Sequence, residues 1–194
     1  MKVSVVIPVF NEKKTIEEII KRVSESPIPS EIIVVDDGST DGTLSVLTKL
    51  EKNAKKIKVI YHQKNLGKGA AVSQGIKIAS GDVVIIQDAD LEYDPREYPE
   101  LLKPIEEGIA DIVYGSRFLG AARRPILFWN MVANKILTFF TNILYNNILS
   151  DMETGYKVFR REKFNDLNIN ARRFDFEPEF TAKVLKRKYR IYEV

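Results

Sequence analysis

DVVIIQDADLEYDP, residues 82–95, runs from four successive β-branched side chains into four carboxylates, Asp88, Asp90, Glu92 and Asp94, set on alternate positions. A strand that is apolar at every position, with no alternation, is buried on both faces, and such strands belong to parallel sheets covered by helices. Carboxylates at its end then stand at the carboxyl edge of the sheet, where ligands bind because loops and helix N-termini converge there. Asp88 and Asp90, two apart in extended backbone, point the same way and can address one cation. An Asp-x-Asp triplet alone is a weak signal and is more often an ordinary acidic turn.

The neighbouring segments repeat the pattern. VSVVI (3–7) leads into a helical spacing near 13–25, with Ile16, Ile19, Ile20 and Val23 on one face and Thr15 and Glu18 spaced as a capping box. EIIVVDD (31–37) leads into a helix near 41–53 carrying Leu44, Leu47 and Leu50. KVIY (58–61) leads through NLGKG into a helix near 69–79, DVVIIQ (82–87) into a helix near 95–107, and DIVYG (111–115) is a further strand. Strands alternating with amphipathic crossovers imply an α/β domain with a largely parallel sheet. With 194 residues, 44% hydrophobic, and no repeat or linker, residues 1–194 are expected to form one domain.

Composition removes several chemistries. The chain has no cysteine, which excludes disulfides, thiolate metal sites and cysteine nucleophiles, and fits a reducing compartment. Any metal must sit on oxygen or on the lone His62, which reads as a loop or satisfied core histidine. Net charge is +3, with acids gathered over 82–111 and bases over 117–124 and 183–190; the bases suit phosphate, an anionic membrane surface or plain solvent. No groove-reading motif accompanies them, so nucleic acid is disfavoured. The P-loop pattern is absent, and GKGAAV fails as a dinucleotide fingerprint because Val72 holds its last position. Lys68 within it remains a candidate for a phosphate or a base edge, or a solvated loop lysine. Arg172 and Arg173 could reach a phosphate, with a salt bridge to Asp175 or Glu177 as the simpler use.

MKVSVVIPVF lacks a signal-peptide cleavage site and reads as a first strand. The last residues, YRIYEV, alternate like a strand with no polar tail after them, so a further C-terminal segment is expected. Residues 125–149 are long enough to cross a bilayer, but Asn130, Asn134, Lys135, Thr138, Asn142, Asn146 and Asn147 interrupt every apolar run. The polar positions follow helical spacing and leave an arc of Phe128, Trp129, Val132, Ile136, Phe139, Phe140 and Ile143. That arc either packs on the sheet or lies in a membrane interface, with Arg123 and Arg124 just ahead of it.

Polar groups follow three strands: Pro8, Asn11 and Glu12; Asp36, Asp37, Gly38 and Ser39; then Asp88, Asp90 and Glu92. One shared site at one sheet edge is the economical reading. Oxygen ligands favour Mg²⁺ or Mn²⁺, and a nucleotide diphosphate matches the way Mg²⁺ binds through one or two carboxylates.

VVIPVFNE, VVDDGSTDGT, NLGKGAAVSQG, QDADLEYDP, YGSRF and DMETGYKVF occur in that order. The set resembles the family 2 glycosyltransferases of GT-A fold, most closely the dolichyl-phosphate mannose and glucose synthases and the bacterial polyprenyl-phosphate glycosyltransferases. The resemblance covers nearly the whole chain. It implies a Rossmann-like nucleotide-diphospho-sugar transferase fold, with a nucleotide-sugar half over about 1–116 and an acceptor half over about 117–194. It implies inverting transfer of a hexose from UDP-glucose, UDP-N-acetylglucosamine or GDP-mannose to a polyprenyl phosphate such as dolichyl phosphate, by a protein peripheral on the cytoplasmic face of a membrane. Pro8, Phe10, Glu12 and Asp37 match positions around the base and ribose, with Lys68 nearby. Asp88 and Asp90 match the metal and diphosphate motif, and Glu92 stands where relatives often carry a Gln that helps hold the ion, so the resemblance implies Asp88, Asp90 and Glu92 as the metal ligands. Arg117 matches an arginine for the acceptor phosphate, where Arg123 and Arg124 would assist, and Asp151 matches a proposed catalytic base. Because a lipid phosphate is already anionic, Asp151 is expected to orient or act as a weak base. The alternatives are a same-fold enzyme acting on a soluble glycan hydroxyl and a non-catalytic nucleotide-sugar-binding module.

Overall fold

The computed structural model describes residues 1–119, 127–173 and 175–194. Arg123 and Arg124, expected at an acceptor phosphate, lie outside the described residues. Strands β1 (Val3–Val9), β2 (Glu31–Asp36), β3 (Ile57–Tyr61), β4 (Val83–Ile86), β5 (Ile112–Tyr114), β6 (Lys157–Arg160) and β7 (Ile191–Glu193) form one sheet in the order β3-β2-β1-β4-β6-β5-β7. The helices are α1 (Ile16–Glu25), α2 (Thr43–Asn53), α3 (Lys68–Ile78), α4 (Tyr98–Glu106), α5 (Phe128–Tyr145), α6 (Arg161–Asn165) and α7 (Phe176–Lys186).

The period of two along β1 explains the layering. Val3, Val5, Ile7 and Val9 join a core with Ile16, Ile19 and Ile20 of α1, Leu47 of α2 and Leu101 of α4. Val6 faces the other way, into a core with Val72 and Ile76 of α3 and Phe176 and Phe180 of α7. Each fully buried aliphatic side chain contributes about 1.5–3 kcal/mol, so this two-faced strand anchors both layers.

One strand is reversed. β1 pairs in parallel with β2 and β4, β2 with β3, and β5 with β7, whereas β6 runs antiparallel to both β4 and β5. Reversal makes β6 begin where its neighbours end: Lys157 is paired with Ile86 and with Tyr114. The loop ahead of it, DMETGY, is thereby carried to the same carboxyl edge as the loops after β1, β2 and β4.

Three local expectations change. The Thr15/Glu18 capping box is absent: the Thr15 hydroxyl donates to Glu12 at 2.6 Å and Glu18 accepts from Arg22 at 2.6 Å. The helix expected near 95–107 is split into a 3₁₀ turn at Pro95–Glu97, capped by Asp94, and α4. On α2, Leu47 is buried but Leu44 is exposed.

Of the two alternatives left open for α5, packing of its apolar arc on the sheet is not what the structure shows. Phe128, Trp129, Ile136, Phe139, Phe140 and Ile143 are exposed, and the residues it buries are Asn134 and Thr138. Among the described residues no helix is long and apolar enough to cross a membrane.

Candidate active site

Pro8, Phe10, Glu12, Asp37, Lys68, Asp88 and Asp90, drawn from the end of β1, the segments after β1, β2 and β4 and the start of α3, line one cleft of about 600 Å³. The sheet brings them together because β1, β2 and β4 are adjacent and parallel, so their loops leave on one side. A second cleft of similar volume, about 600 Å³, lies between the end of α1 and the 94–99 turn. Its charges are already matched, Arg22 with Glu18 and Arg96 with Asp94, which leaves it little chemistry.

Asp37 enters the cleft wall with its carboxylate engaged. Its Oδ1 accepts from His62 Nδ1 at 2.6 Å and the Leu66 N–H at 2.9 Å, and its Oδ2 accepts from the Gly67 N–H at 2.7 Å. It therefore shapes the 62–67 loop, and His62 is a satisfied partner. That loop also needs Gly67, at φ +100°, because a Cβ there would lie 2.2 Å from the Arg172 carbonyl oxygen. The Ala70 N–H donates to that same carbonyl at 3.1 Å.

Lys68 is half-buried and paired. Its Nζ lies 2.9 Å from Asp88 Oδ1 and 2.9 Å from Glu177 Oε1. Burial would lower its pKa, but the two carboxylates more than reverse this and hold it above the usual lysine value. Glu177 and Arg173 both belong to the segment expected to serve the acceptor, yet Arg173 lines this cleft and Glu177 reaches it through Lys68. Neither Arg172 nor Arg173 forms an ion pair with Asp175 or Glu177 among the described residues: Asp175 accepts from the Arg173 backbone N–H at 2.8 Å, and Glu177 takes Lys68.

Glu92 stands beside Asp90, with its backbone N–H 3.0 Å from Asp90 Oδ1. Among the described residues no group of three acid or histidine side chains is gathered to hold a metal. Asp90 nevertheless suits a cation. Desolvation of its recess, then the charges of Asp88 and Glu92, outweigh the Glu92 N–H and push its pKa up to about 6. A hard ion would relieve that crowding, with Asp90 and Asp88 supplying oxygens and a diphosphate and water completing the shell.

Arg117 and Asp151 form the second centre. The Asp151 carboxylate is fully buried and accepts from Arg117 N at 3.0 Å, Nε at 2.8 Å and Nη2 at 2.9 Å, and from Asn134 Nδ2 at 2.6 Å. Burial alone would raise its pKa; the Arg117 and Asn134 bonds reverse that and hold it below the ordinary aspartate value. A carboxylate that takes three bonds from Arg117 and one from Asn134 holds that arginine in a fixed direction.

Several contributors carry no motif of their own. Lys157 is fully buried at the start of β6 and donates to the carbonyls of Met152, at 3.3 Å, and Thr154. Burial pushes its pKa down to about 8, against Glu177 and Asp151, which raise it. It pins the 151–155 loop from below, while Glu193 accepts the Ser150 and Asp151 N–H groups from β7. Gly155 closes the gap to Asp88: a Cβ there would stand 2.0 Å from Asp88 Oδ2, and its N–H donates to the Tyr93 hydroxyl at 2.9 Å. The sequence signal for Lys157 is a lysine opening an apolar strand.

The cleft thus lies at the carboxyl edge of the sheet, with Asp88 and Asp90 at its mouth and Arg173 in its wall. The chain matches the Glycosyl transferase family 2 domain over residues 4–167 and belongs to that family. It is 34% identical over 188 residues to a dolichol-phosphate mannosyltransferase of Pyrococcus furiosus, covering 94% of this chain and 53% of the relative. It is 27% identical over 190 residues to a dodecaprenyl-phosphate galacturonate synthase of Rhizobium johnstonii, covering 95% and 55%. The chain thus spans about half the length of these relatives. Its fold is shared with glucosyl-3-phosphoglycerate synthase of Mycobacterium tuberculosis solved with Mn²⁺, UDP and phosphoglyceric acid, at TM-score 0.78 and 24% identity over 100% of this chain and 68% of that one. A structure of the same synthase with Mg²⁺ and UDP gives TM-score 0.76 at 25% identity, over 100% and 68%. The fold is GT-A.

Proposed function

We propose that the protein transfers a hexose, with inversion, from a nucleotide-diphosphate sugar to a polyprenyl phosphate held at a membrane surface. The observation that carries this reading is the saturated Asp151. A hydroxyl acceptor must lose a proton and needs a base beside it, whereas a phosphate monoester, with a second pKa of about 6, is already a nucleophile near neutral pH. A site that spends its buried carboxylate on gripping an arginine is built for the second acceptor.

In this reading residues 1–116, with Lys68 and Arg173, hold the donor, and Arg117 directs the acceptor. Asp151 takes Arg117 Nε and Nη2, which leaves the Nη1 edge to receive phosphate oxygens. Asp88 and Asp90 would hold a divalent cation, Mg²⁺ or Mn²⁺, which when bound neutralises charge on the departing diphosphate. The acceptor oxygen then attacks the anomeric carbon opposite the leaving group. The outward apolar face of α5 seats the protein on the bilayer that carries the acceptor, on its cytoplasmic face. The names of the polyprenyl-phosphate relatives support the acceptor class.

The test has two stages. Thermal stabilisation by UDP, GDP, UDP-glucose, UDP-N-acetylglucosamine and GDP-mannose, each with Mn²⁺ or EDTA, should single out one base and vanish with EDTA; a ligand at a hundred times its Kd adds about 2.7 kcal/mol. That donor should then label dolichyl phosphate in vesicles. Labelling of a soluble glycan but not of the lipid would overturn the acceptor assignment.

A further inference from the structure

Asn134 and Thr138 are 4% and 3% exposed on a helix whose aromatic residues face outward. A buried amide and hydroxyl are costly unless each is hydrogen-bonded, and here they are joined in one directed chain. The Met152 N–H donates to Thr138 Oγ1 at 3.1 Å, the Thr138 hydroxyl donates to Asn134 Oδ1 at 3.0 Å, and Asn134 Nδ2 donates to Asp151 Oδ1 at 2.6 Å. Both ends force the direction, because a backbone N–H only donates and an ionised carboxylate only accepts. One turn further along, the Asn142 amide accepts from the Leu149 N–H at 2.8 Å and donates to the Leu149 carbonyl at 2.9 Å. Residues 134, 138 and 142 recur at the spacing of one helix face, so α5 is keyed to the 149–152 loop over two turns.

We infer that Asn134 is a positioning residue for the acceptor phosphate: it fixes the Asp151 carboxylate, Asp151 fixes the Arg117 guanidinium, and α5 carries its apolar outer face and this arginine as one unit. The inference rests on the reading that Arg117 meets a lipid phosphate. Without Asn134, Asp151 keeps its three Arg117 bonds but loses the bond that ties the pair directly to α5, so carboxylate and guanidinium can shift together relative to the helix. The guanidinium fork then loses the fixed direction that makes it a phosphate receptor. A membrane-seated helix bonded directly to that anchor sets the height of the arginine above the lipid surface.

The experiment measures transfer from UDP-glucose and from GDP-mannose to dolichyl phosphate in phosphatidylcholine vesicles, with vesicle flotation recorded for every variant. Asn134→Ala should raise the acceptor KM about tenfold or more while leaving the donor KM within about twofold. Thr138→Val should move the acceptor KM in the same direction by less, and Thr138→Ser, which keeps the hydroxyl, should restore it. All three should float with vesicles, since the outer face is untouched. An unmoved acceptor KM in Asn134→Ala, or equal rises in both KM values, overturns the assignment while leaving the proposed function standing. If Asn134→Ala does not fold, the Thr138→Val and Thr138→Ser pair decides by the same ratio. A wild-type protein that labels no dolichyl phosphate overturns the proposed function and this inference with it.

Discussion

Lys68 Nζ sits 2.9 Å from Asp88 Oδ1, so the carboxylate at the mouth of the cleft is held by a cation of the chain itself. The same ammonium holds Glu177, whose side chain is 6% exposed. Breaking a pair of this kind from one side leaves a buried charge uncompensated, which costs more than the pair contributes when intact. Lys68→Met should lower stability by about 2–4 kcal/mol, allowing for the partial exposure of Lys68. Adding Glu177→Gln should recover part of that loss. Urea unfolding checks both; a wild-type midpoint for Lys68→Met would mean the pair is not maintained in solution.

Gly155 separates folding from function. The atom its missing Cβ would strike is the end of the Asp88 side chain, 2.0 Å away, and a side-chain end can move at small cost. Gly155→Ala should cost about 1–2 kcal/mol, less than Lys68→Met, because Asp88 moves away from Lys68 while Lys68 keeps Glu177. Asp88 would be turned out of its place, so Mn²⁺-dependent stabilisation by the cognate nucleotide should fall by about 1.4 kcal/mol or more, a tenfold loss in affinity. Unchanged nucleotide affinity in a folded Gly155→Ala protein would remove Asp88 from the metal and diphosphate site.

Glu31 sets an acid limit on the fold. Burial would raise its pKa, but the Ser4 hydroxyl, the Lys58 ammonium and the Ser80 N–H and hydroxyl all donate to it and bring it down to about 2. The unfolded value is about 4.3, so the folded state binds this proton less readily, and the group's contribution is complete above about pH 4.3. As pH falls through about 2 that contribution, roughly 2–3 kcal/mol, is lost. Glu31→Gln should be less stable than wild type at neutral pH, and the two should converge on acidification. A constant gap between the two stability curves from pH 6 to pH 2 would refute the assignment.

Legibility in the sequence followed the kind of physics involved. VVII and VSVVI declare buried parallel strands by local composition, and Asp88 and Asp90 declare a shared direction by their spacing, so the sheet edge and the cleft were readable. β6 was not read as a strand, because Lys157 opens it and its satisfaction depends on the carbonyls of Met152 and Thr154 folding back over it. Asp37 resembled a nucleotide contact, while its partners His62, Leu66 and Gly67 lie 25, 29 and 30 residues away, beyond any periodicity. Periodicity likewise showed that α5 has two faces without showing which turns inward. That depended on Asp151 and Leu149 offering hydrogen bonds that an apolar face cannot use.

The outward face of α5 gives the most direct prediction. Phe139 and Phe140 are 59% and 56% exposed and their rings meet edge-to-face at 5.8 Å, so they form an apolar knob that the described core does not cover. Contiguous exposed aromatics of this kind mark an interaction surface, and a lipid interface accepts them without a shaped partner. Phe139→Asp with Phe140→Asp should leave the thermal midpoint within a few degrees of wild type, because little buried area is lost. The same double variant should abolish flotation with anionic vesicles and reduce transfer to dolichyl phosphate in vesicles, while donor-induced stabilisation persists. Undiminished flotation would move the membrane contact to another surface. A shift from dimer to monomer in solution, with flotation absent in wild type as well, would instead assign the face to a second copy of the chain.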